Sequence, residues 1–438
     1  MRFGTDGVRG RANTELTASF ALDLGRAAAR VLDVRLAVVG GDSRLSTAML
    51  EAAFVAGLAA EGVEVRRLGV TPTPAVAFEA ARLGAMGAVI SASHNPYFDN
   101  GIKLFARGGT KLPDHVESQI EHELSALDPS TAEPAPIHGR GDSGGGYVEH
   151  LLKVLEGRRL DGLRVVVDAA NGAASHLVAE VFGRTGAQVV VINAQPNGTN
   201  INDGCGATDP AGLQAVVLAE RAHVGIALDG DADRLIAVDD RGDVVDGDHI
   251  LAICAMDLCE RGLLHDNTVV ITVMTNLGFH LSMAEAGIDV VQTGVGDRYV
   301  LEALAAGGYS LGGEQSGHVI FTEFATTGDG MLSALVLLDV VQRSGRQLSQ
   351  IAEEAMTQLP QVLVNVPVAE RRPDVAELLA DEIARAAEPL GSTGRILVRP
   401  SGTEPLVRVM VEAPTSELAQ STADHLAAVV RAHPDLST

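Results

Sequence analysis

The sequence predicts an α/β protein with three similar α/β domains of mixed or parallel sheets. A smaller α+β C-terminal domain follows, and the four are arranged around a central cleft. Three observations carry this. One strand–loop–helix–glycine–strand pattern occurs three times in succession. The last stretch of chain breaks that pattern. The apolar residues are 46% of the chain while aromatics are only 3%, so the cores must be built from Val, Leu, Ile and Ala. Such residues suit parallel strands covered by helices on both faces.

The first copy runs from Ala37-Val38-Val39 through Gly41-Asp42-Ser43-Arg44 to Gly62 and Val63-Glu64-Val65. The second runs from Val165-Val166-Val167 through Asn171-Gly172 to Gly186 and Val189-Val190-Val191. The third runs from Val269-Val270-Ile271 through Thr275-Asn276 to Gly287 and Asp289-Val290-Val291. Each glycine falls where a helix C-terminal cap belongs. Strand–helix–strand in that order implies parallel pairing with right-handed crossovers. Beyond Leu359-Pro360 the order changes: strands at 362–366, 395–398 and 406–411, and helices at 374–387 and 416–431. That order predicts a small, partly antiparallel α+β domain. Domains are expected at 1–146, 147–246, 247–359 and 360–438, a count that fits the length of 438 residues.

Charge and cysteine content exclude several function classes. The formal net charge of −24 opposes binding to nucleic acid or anionic membrane. Cys205, Cys254 and Cys259 are too few for a disulfide framework or a structural zinc site, so a reduced, cytoplasmic protein is expected. The N-terminus lacks the apolar core of a signal peptide, and no apolar run reaches the roughly 18 residues of a membrane span.

Four loops carry chemistry. Ser91-Ala92-Ser93-His94-Asn95-Pro96 follows the apolar run Met86–Ile90 and forms a tight turn at a strand end, where open α/β sheets place ligands. Ser93 there is either a nucleophile or a turn serine bonded to its own backbone. Asp229-Gly230-Asp231-Ala232-Asp233-Arg234 puts three carboxylates at alternate positions between two strand-like runs, a pattern that calls for a hard cation such as Mg²⁺ or Ca²⁺. An EF-hand is excluded because Arg234 stands where that loop needs glycine and the flanks are strands. Gly312-Gly313-Glu314-Gln315-Ser316-Gly317-His318 offers groups for sugar hydroxyls and a proton carrier near neutral pH. Arg399-Pro400-Ser401-Gly402-Thr403-Glu404-Pro405, with Arg408 beside it, has the donors of a phosphate cradle. Nucleophile, metal, hydroxyl grip and cradle fall one per domain, the inventory of phosphoryl transfer on a sugar phosphate. Arg9, Lys103, Arg234, Arg298, Arg399 and Arg408 lie in or beside glycine-rich loops of this acidic chain, an arrangement expected to focus an anionic substrate into the cleft. Gly294-Val295-Gly296-Asp297-Arg298 lacks the third glycine of a dinucleotide fingerprint, and Thr326-Thr327-Gly328-Asp329-Gly330 reads as a helix opening.

At these four loops, in this order and over essentially the whole chain, the sequence resembles the α-D-phosphohexomutase family. Phe3-Gly4-Thr5-Asp6-Gly7-Val8-Arg9-Gly10, Asn202-Asp203-Gly204-Cys205-Gly206, Gln315 and Ser401–Pro405 are similar to the branch that acts on glucosamine phosphates. Ala207-Thr208-Asp209 departs from the Ser-Thr-His expected there. The resemblance implies interconversion of glucosamine 6-phosphate and glucosamine 1-phosphate through a phosphoserine enzyme and a 1,6-bisphosphate, feeding UDP-N-acetylglucosamine and cell-wall precursor synthesis. It implies Ser93 as the phosphoserine and one Mg²⁺ per subunit held by Asp229, Asp231, Asp233 and an oxygen on Ser93. It implies Arg9 near the transferred phosphate, Lys103 and His318 as acid/base candidates, and Arg234, Glu314 and Ser316 on the sugar phosphate. Arg399, Ser401, Gly402, Thr403 and Arg408 are implied as holders of the phosphate not being transferred. A homodimer is implied by resemblance alone. The same chemistry on mannose or glucose phosphates, a phosphatase, and a non-catalytic sugar-phosphate-binding protein are the alternatives.

Overall fold

A computed structural model describes residues 2–4, 6–139, 145–401 and 405–436, and divides them into two units. The larger unit comprises Met1–Met274 and Gly287–Ala355. It holds three sheets of mixed direction. In the first, strands β1 (Val8–Arg11), β2 (Leu36–Gly41), β3 (Glu64–Val70), β4 (Met86–Ile90), β5 (Asp99–Phe105) and β6 (Ile137–His138) take the order β1-β5-β4-β2-β3-β6. The second combines β7 (Arg164–Asp168), β8 (Gln188–Ile192), β9 (Val224–Leu228), β10 (Leu235–Val238) and β11 (Val244–Val245) as β11-β10-β9-β7-β8. The third combines β12 (Thr268–Thr272), β13 (Asp289–Thr293), β14 (Leu311–Gly313) and β15 (Val319–Phe321) as β13-β12-β14-β15.

The repeated pattern forms the parallel heart of each sheet: β2 pairs in parallel with β3, β7 with β8, and β12 with β13. Gly62, Gly186 and Gly287, at φ +81°, +93° and +68°, sit in the left-handed conformation just past the intervening helices, as the cap reading requires. The first sheet is buried on both faces. Val38, Val89 and Phe105 pack against Val76, Ala77 and Ala80 of helix Thr73–Leu83. Ala37, Val39, Ile90 and Ile102 pack with Leu24, Leu50 and Phe54 on the other face. Strands β1 and β5 have no counterpart in the sequence expectation. Strand β5 opens on Asp99-Asn100-Gly101 and carries Lys103, so it lacks an apolar run, yet it is held antiparallel between β1 and β4.

The smaller unit comprises Thr275–Ala286 and Met356–Thr438. Strands β16 (Gln361–Pro367), β17 (Arg395–Pro400) and β18 (Leu406–Glu412) form an antiparallel sheet in the order β16-β18-β17. The helix expected over 374–387 is two pieces, Val375–Leu378 and Ala380–Ala387, because Leu379 at their junction leaves helical geometry and is drawn into the core. Helix Leu277–Glu285, the crossover of the third repeat, belongs to this unit. The Asn276 amide exchanges two hydrogen bonds with the backbone of Leu359, and the Leu277 N–H donates to Glu412.

Helices Ala18–Leu32 and Thr47–Ala60 meet backbone to backbone. A methyl group on Gly57 would stand 2.1 Å from the Leu22 carbonyl oxygen, and one on Gly25 2.3 Å from that of Phe54. Gly57→Ala should therefore lower the urea midpoint of unfolding through an overpacking cost of about 1–3 kcal/mol. Gly212→Ala, in helix Ala211–Glu220 with nothing within 4 Å of the new carbon, should leave the midpoint unchanged or raised.

Candidate active site

Strand β4 ends in the serine loop. All five of its residues are buried, and the turn beyond it places Ser93 at φ +52°, a conformation rare for residues other than glycine. Backbone hydrogen bonds account for this. The buried Arg44 guanidinium donates to the carbonyls of Ser93 and Asn95 at 2.8 Å each, to that of Asp99 at 3.2 Å, and to that of Pro96. Asp42 holds Arg44 Nε at 2.7 Å and accepts the Ser91 hydroxyl at 2.6 Å, while Ser91 Oγ accepts the Ser93 N–H at 2.9 Å. The Ser93 hydroxyl donates to Asp229 Oδ2 at 2.6 Å and lies 3.3 Å from His94 Nδ1.

The aspartate loop joins the antiparallel strands β9 and β10, and Gly230 lets it touch the serine loop. A carbon added to Gly230 would stand 2.6 Å from the Ser93 carbonyl oxygen. Asp229, Asp231 and Asp233 are buried, with one oxygen from each within 4.8 Å of the others. Burial, then the charges of Asp233 and Asp231, push the Asp229 carboxyl well above the usual carboxylate range. Burial is the largest influence on Asp233 and opposes its ionisation, but Lys103 and His318 together outweigh it and hold that carboxyl well below the usual range. Lys103, from β5, is 3% exposed and bridges Asp6 at 2.8 Å, Asp231 at 2.8 Å and Asp233 at 3.1 Å. Burial disfavours its charge, yet Asp231, Asp233 and Asp6 together raise its pKa well above that of a free lysine, so it stands here as an ammonium. Asp231 Oδ1 and Asp233 Oδ1 are buried without a hydrogen-bond partner. Two orphaned carboxylate oxygens beside a third carboxylate fit a hard divalent cation.

The third loop is the turn between β14 and β15. Glu314 accepts the Gly296 N–H at 3.1 Å and the Ser316 hydroxyl at 3.3 Å. His318 is buried. Its Nε2 accepts the Gly328 N–H at 3.0 Å, which leaves the proton on Nδ1, 3.7 Å from Asp233. Arg9, His94, Arg234, Asp297, Glu314 and His318 line a cavity of about 400 Å³ that the three α/β domains share. Burial, then Arg234 and Arg9, push His94 down to about 4, so its imidazole is neutral at pH 7.

The structure thus brings Ser93, Arg9, Lys103, the three aspartates, Arg234, Glu314, Ser316 and His318 into one neighbourhood. Two expectations about charge change. Lys103 lies beneath the carboxylates instead of lining the cavity, because β5 is internal. Arg298 is outside the cavity, ion-paired to Asp114 and, at 2.7 Å, to Glu117. Several residues were missed. Asp6, paired with Arg9, Lys103 and Lys111, lies in the Phe3–Gly10 stretch, where the resemblance assigns a role to Arg9 alone. Asp297 and Gly296 belong to the glycine-rich stretch that lacks a dinucleotide fingerprint. Arg44, Asp42 and Thr73 carried no pattern signal, since their partners are far away in sequence. Asp329 caps helix Gly330–Ser344 as read, its side chain accepting the Leu332 N–H.

The fourth loop lies in the smaller unit. Arg399 and Arg408 face each other across β17 and β18, and burial, then the Arg408 charge, lowers the Arg399 pKa. Gly402 and Thr403 lie outside the described residues; Ser401 is buried.

Comparison with known proteins agrees along the whole chain. Residues 1–130, 145–242 and 246–359 match domains I, II and III of the family described as phosphoglucomutase/phosphomannomutase, alpha/beta/alpha, and residues 363–429 match its C-terminal domain. A phosphoglucosamine mutase of Frankia alni is 55% identical, with 98% of each chain covered. The solved structure of a putative phosphomannomutase from Thermus thermophilus matches with a TM-score of 0.80 at 26% identity, covering 98% of this chain and 99% of that one. An N-acetylphosphoglucosamine mutase of Aspergillus fumigatus, solved with GlcNAc-6P and magnesium, shares the fold at a TM-score of 0.72 and 20% identity, with 98% and 95% covered. With all four of its domains present in order and a relative of this identity over nearly its full length, the chain belongs to the phosphoglucomutase/phosphomannomutase family, the α-D-phosphohexomutases.

Proposed function

We propose that the chain interconverts glucosamine 6-phosphate and glucosamine 1-phosphate through a phosphoserine at Ser93 and a 1,6-bisphosphate. The observation that carries the chemistry is the Ser93 hydroxyl 2.6 Å from one of three clustered buried carboxylates, beside a cavity lined by Arg9 and Arg234. The choice of sugar is supported by the 55% identity to a phosphoglucosamine mutase. Mg²⁺ would be held by Asp229, Asp231, Asp233 and an oxygen on Ser93; the orphaned Asp231 and Asp233 oxygens and the magnesium of the Aspergillus fumigatus structure support this. When bound, the cation supplies positive charge that offsets the phosphoryl oxygens.

In the first half-reaction the bond between Ser93 Oγ and phosphorus breaks as a bond from phosphorus to the free sugar hydroxyl oxygen forms. The hydroxyl proton is handed on, and Ser93 ends protonated, so charge balances. The bisphosphate then turns, and its other phosphoryl group returns to Ser93 Oγ. Arg9 and Arg234 steady the moving group, and Glu314 and Ser316 orient sugar hydroxyls. Lys103, an ammonium whose proton Asp231, Asp233 and Asp6 hold tightly, is suited to offset charge; His318, with its proton on Nδ1, is the proton carrier. Arg399, Ser401, Gly402, Thr403 and Arg408 hold the idle phosphate. Like charges directly opposite on paired strands cost stability, and an anion between Arg399 and Arg408 would relieve that cost. A cytoplasmic location is supported by three unpaired thiols. Among the described residues, no helix is long and apolar enough to cross a membrane.

A phosphorus NMR time course with Mg²⁺ and a trace of bisphosphate should show glucosamine 6-phosphate converting faster than glucose or mannose 6-phosphate. Faster conversion of either hexose phosphate would reassign the sugar, and net release of inorganic phosphate would reassign the reaction. Ser93→Ala should lower turnover by at least about 1,000-fold while still binding sugar phosphate; near-normal turnover would remove Ser93 as nucleophile. Asp231→Asn should raise the Mg²⁺ concentration for half-maximal rate at least about tenfold. An unchanged magnesium titration would refute the metal site.

A further inference from the structure

The Asn202-Asp203-Gly204-Cys205-Gly206 stretch has no part in the mechanism above, yet it reaches the serine loop. Asn202, from the second α/β domain, donates through Nδ2 to the carbonyl of Ser93 at 2.9 Å and to that of Asn95 at 3.2 Å. These are two of the carbonyls that Arg44 grips from within the first domain. Asn202 is itself fixed. It sits at φ +57°, and its N–H donates to the Ala170 carbonyl at 3.0 Å. Asp168, at the end of β7, accepts the Gly206 N–H at 3.0 Å and the Asn193 amide at 2.9 Å, which ties the stretch to the second sheet.

A matching contact runs the other way. Thr73, from the first domain, opens helix Thr73–Leu83 after Pro72, and its N–H has no acceptor within the helix. It donates instead to the Asp231 carbonyl at 3.0 Å, while Thr73 Oγ1 donates to Asp231 Oδ2 at 2.6 Å. Thr73 is 1% exposed. Each of the two chemical loops is therefore held by a residue from the domain that carries the other. Gly230 keeps the two loops in contact, since an added carbon would stand 2.8 Å from Asn202 Nδ2 as well as 2.6 Å from the Ser93 carbonyl oxygen.

We propose that Asn202 and Thr73 are positioning residues, a reciprocal cross-domain clamp that fixes Ser93 against the metal-binding carboxylates. Phosphoryl transfer is sensitive to this separation, because a misplacement of about 1 Å can cost about 100-fold in rate. The inference rests on reading Ser93 as the nucleophile and the aspartate loop as the metal site.

The test uses full-length protein. Asn202→Ala should lower kcat about 100-fold while KM for glucosamine 6-phosphate, the melting temperature and the Mn²⁺ dissociation constant stay near wild type. Thr73→Val should weaken Mn²⁺ binding, read by electron paramagnetic resonance without sugar, by about tenfold or more. Thr73→Ser, which keeps the hydroxyl, should restore it. If Asn202→Ala does not fold, Asn202→Asp keeps the shape and removes the donor, and the same fall in kcat is expected. A kcat within threefold of wild type for the Asn202 variant, or an unchanged Mn²⁺ constant for Thr73→Val, overturns the clamp. Failure of the wild type to turn over any sugar phosphate overturns the proposed function instead; the Thr73 measurement, which needs no sugar, still decides the clamp.

Discussion

Three carboxylates confined to one buried turn are the constraint around which this site is organised. Carboxylates this close and this buried cannot all ionise without nearby positive charge. The chain supplies part of it. Lys103 spans Asp6, Asp231 and Asp233, and Arg9 pairs with Asp6. Lys103 serves Asp231 and Asp233 through their Oδ2 atoms only, so one oxygen of each stays without a hydrogen-bond partner. The protein has thus offset part of the loop's charge and kept buried carboxylate oxygens whose chemistry suits a divalent ion. The raised proton affinity of Asp229 is the same deficit seen from another side.

That constraint also explains why the larger unit converges where it does. Lys103 comes from the first sheet, the aspartates from the second and His318 from the third. The ionic cluster is a junction of three α/β domains. In the first sheet, apolar cores on both faces bury the strands from which the serine loop and Lys103 project. The loops themselves are held by polar contacts, and Ser93 in its left-handed conformation is the clearest case. The Arg44 guanidinium, its donors spread over four carbonyls of one turn and an aspartate behind it, makes that geometry the satisfied one.

Architecture and the main chemical groups were legible in the sequence because both leave local signals. A run such as Met86–Ile90, followed by small residues and Asn-Pro, announces a strand and its turn within a dozen positions. The alternation of Asp229, Asp231 and Asp233 states its chemistry in five. Strand β5 was not legible, since Asp99-Asn100-Gly101 and Lys103 look like loop, and only its neighbours β1 and β4 make it a strand. Thr73 and Asn202 were illegible as site residues for the same reason: their partners lie 158 and 109 positions away. Arg298 failed in the opposite sense. It sits in a glycine-rich stretch, which suggested a site, but its guanidinium turns to Asp114 and Glu117 of the first domain. Local pattern reports which element a residue is in, and a side chain's direction is decided by packing between elements.

The overall charge of −24 sharpens this division of labour. An acidic protein that handles phosphate must confine its positive charge, and two different devices do so here. In the larger unit the cations beside the aspartate loop are matched to acids: Arg9 to Asp6, Lys111 to Asp6 and Asp297, Lys103 to three carboxylates. Such pairing suits a site where charge must shift as a phosphoryl group moves, because every cation can trade one anionic partner for another. In the smaller unit Arg399 and Arg408 stand opposite each other on adjacent strands, and burial, then the Arg408 charge, disfavours the Arg399 cation. Repulsion built into a sheet is tolerable when a dianion settles it, and it imposes little shape on that dianion. If these arginines hold the idle phosphate as proposed, the arrangement can accept the 1-phosphate and the 6-phosphate of one sugar alike, which is what a reaction that inverts its own intermediate demands.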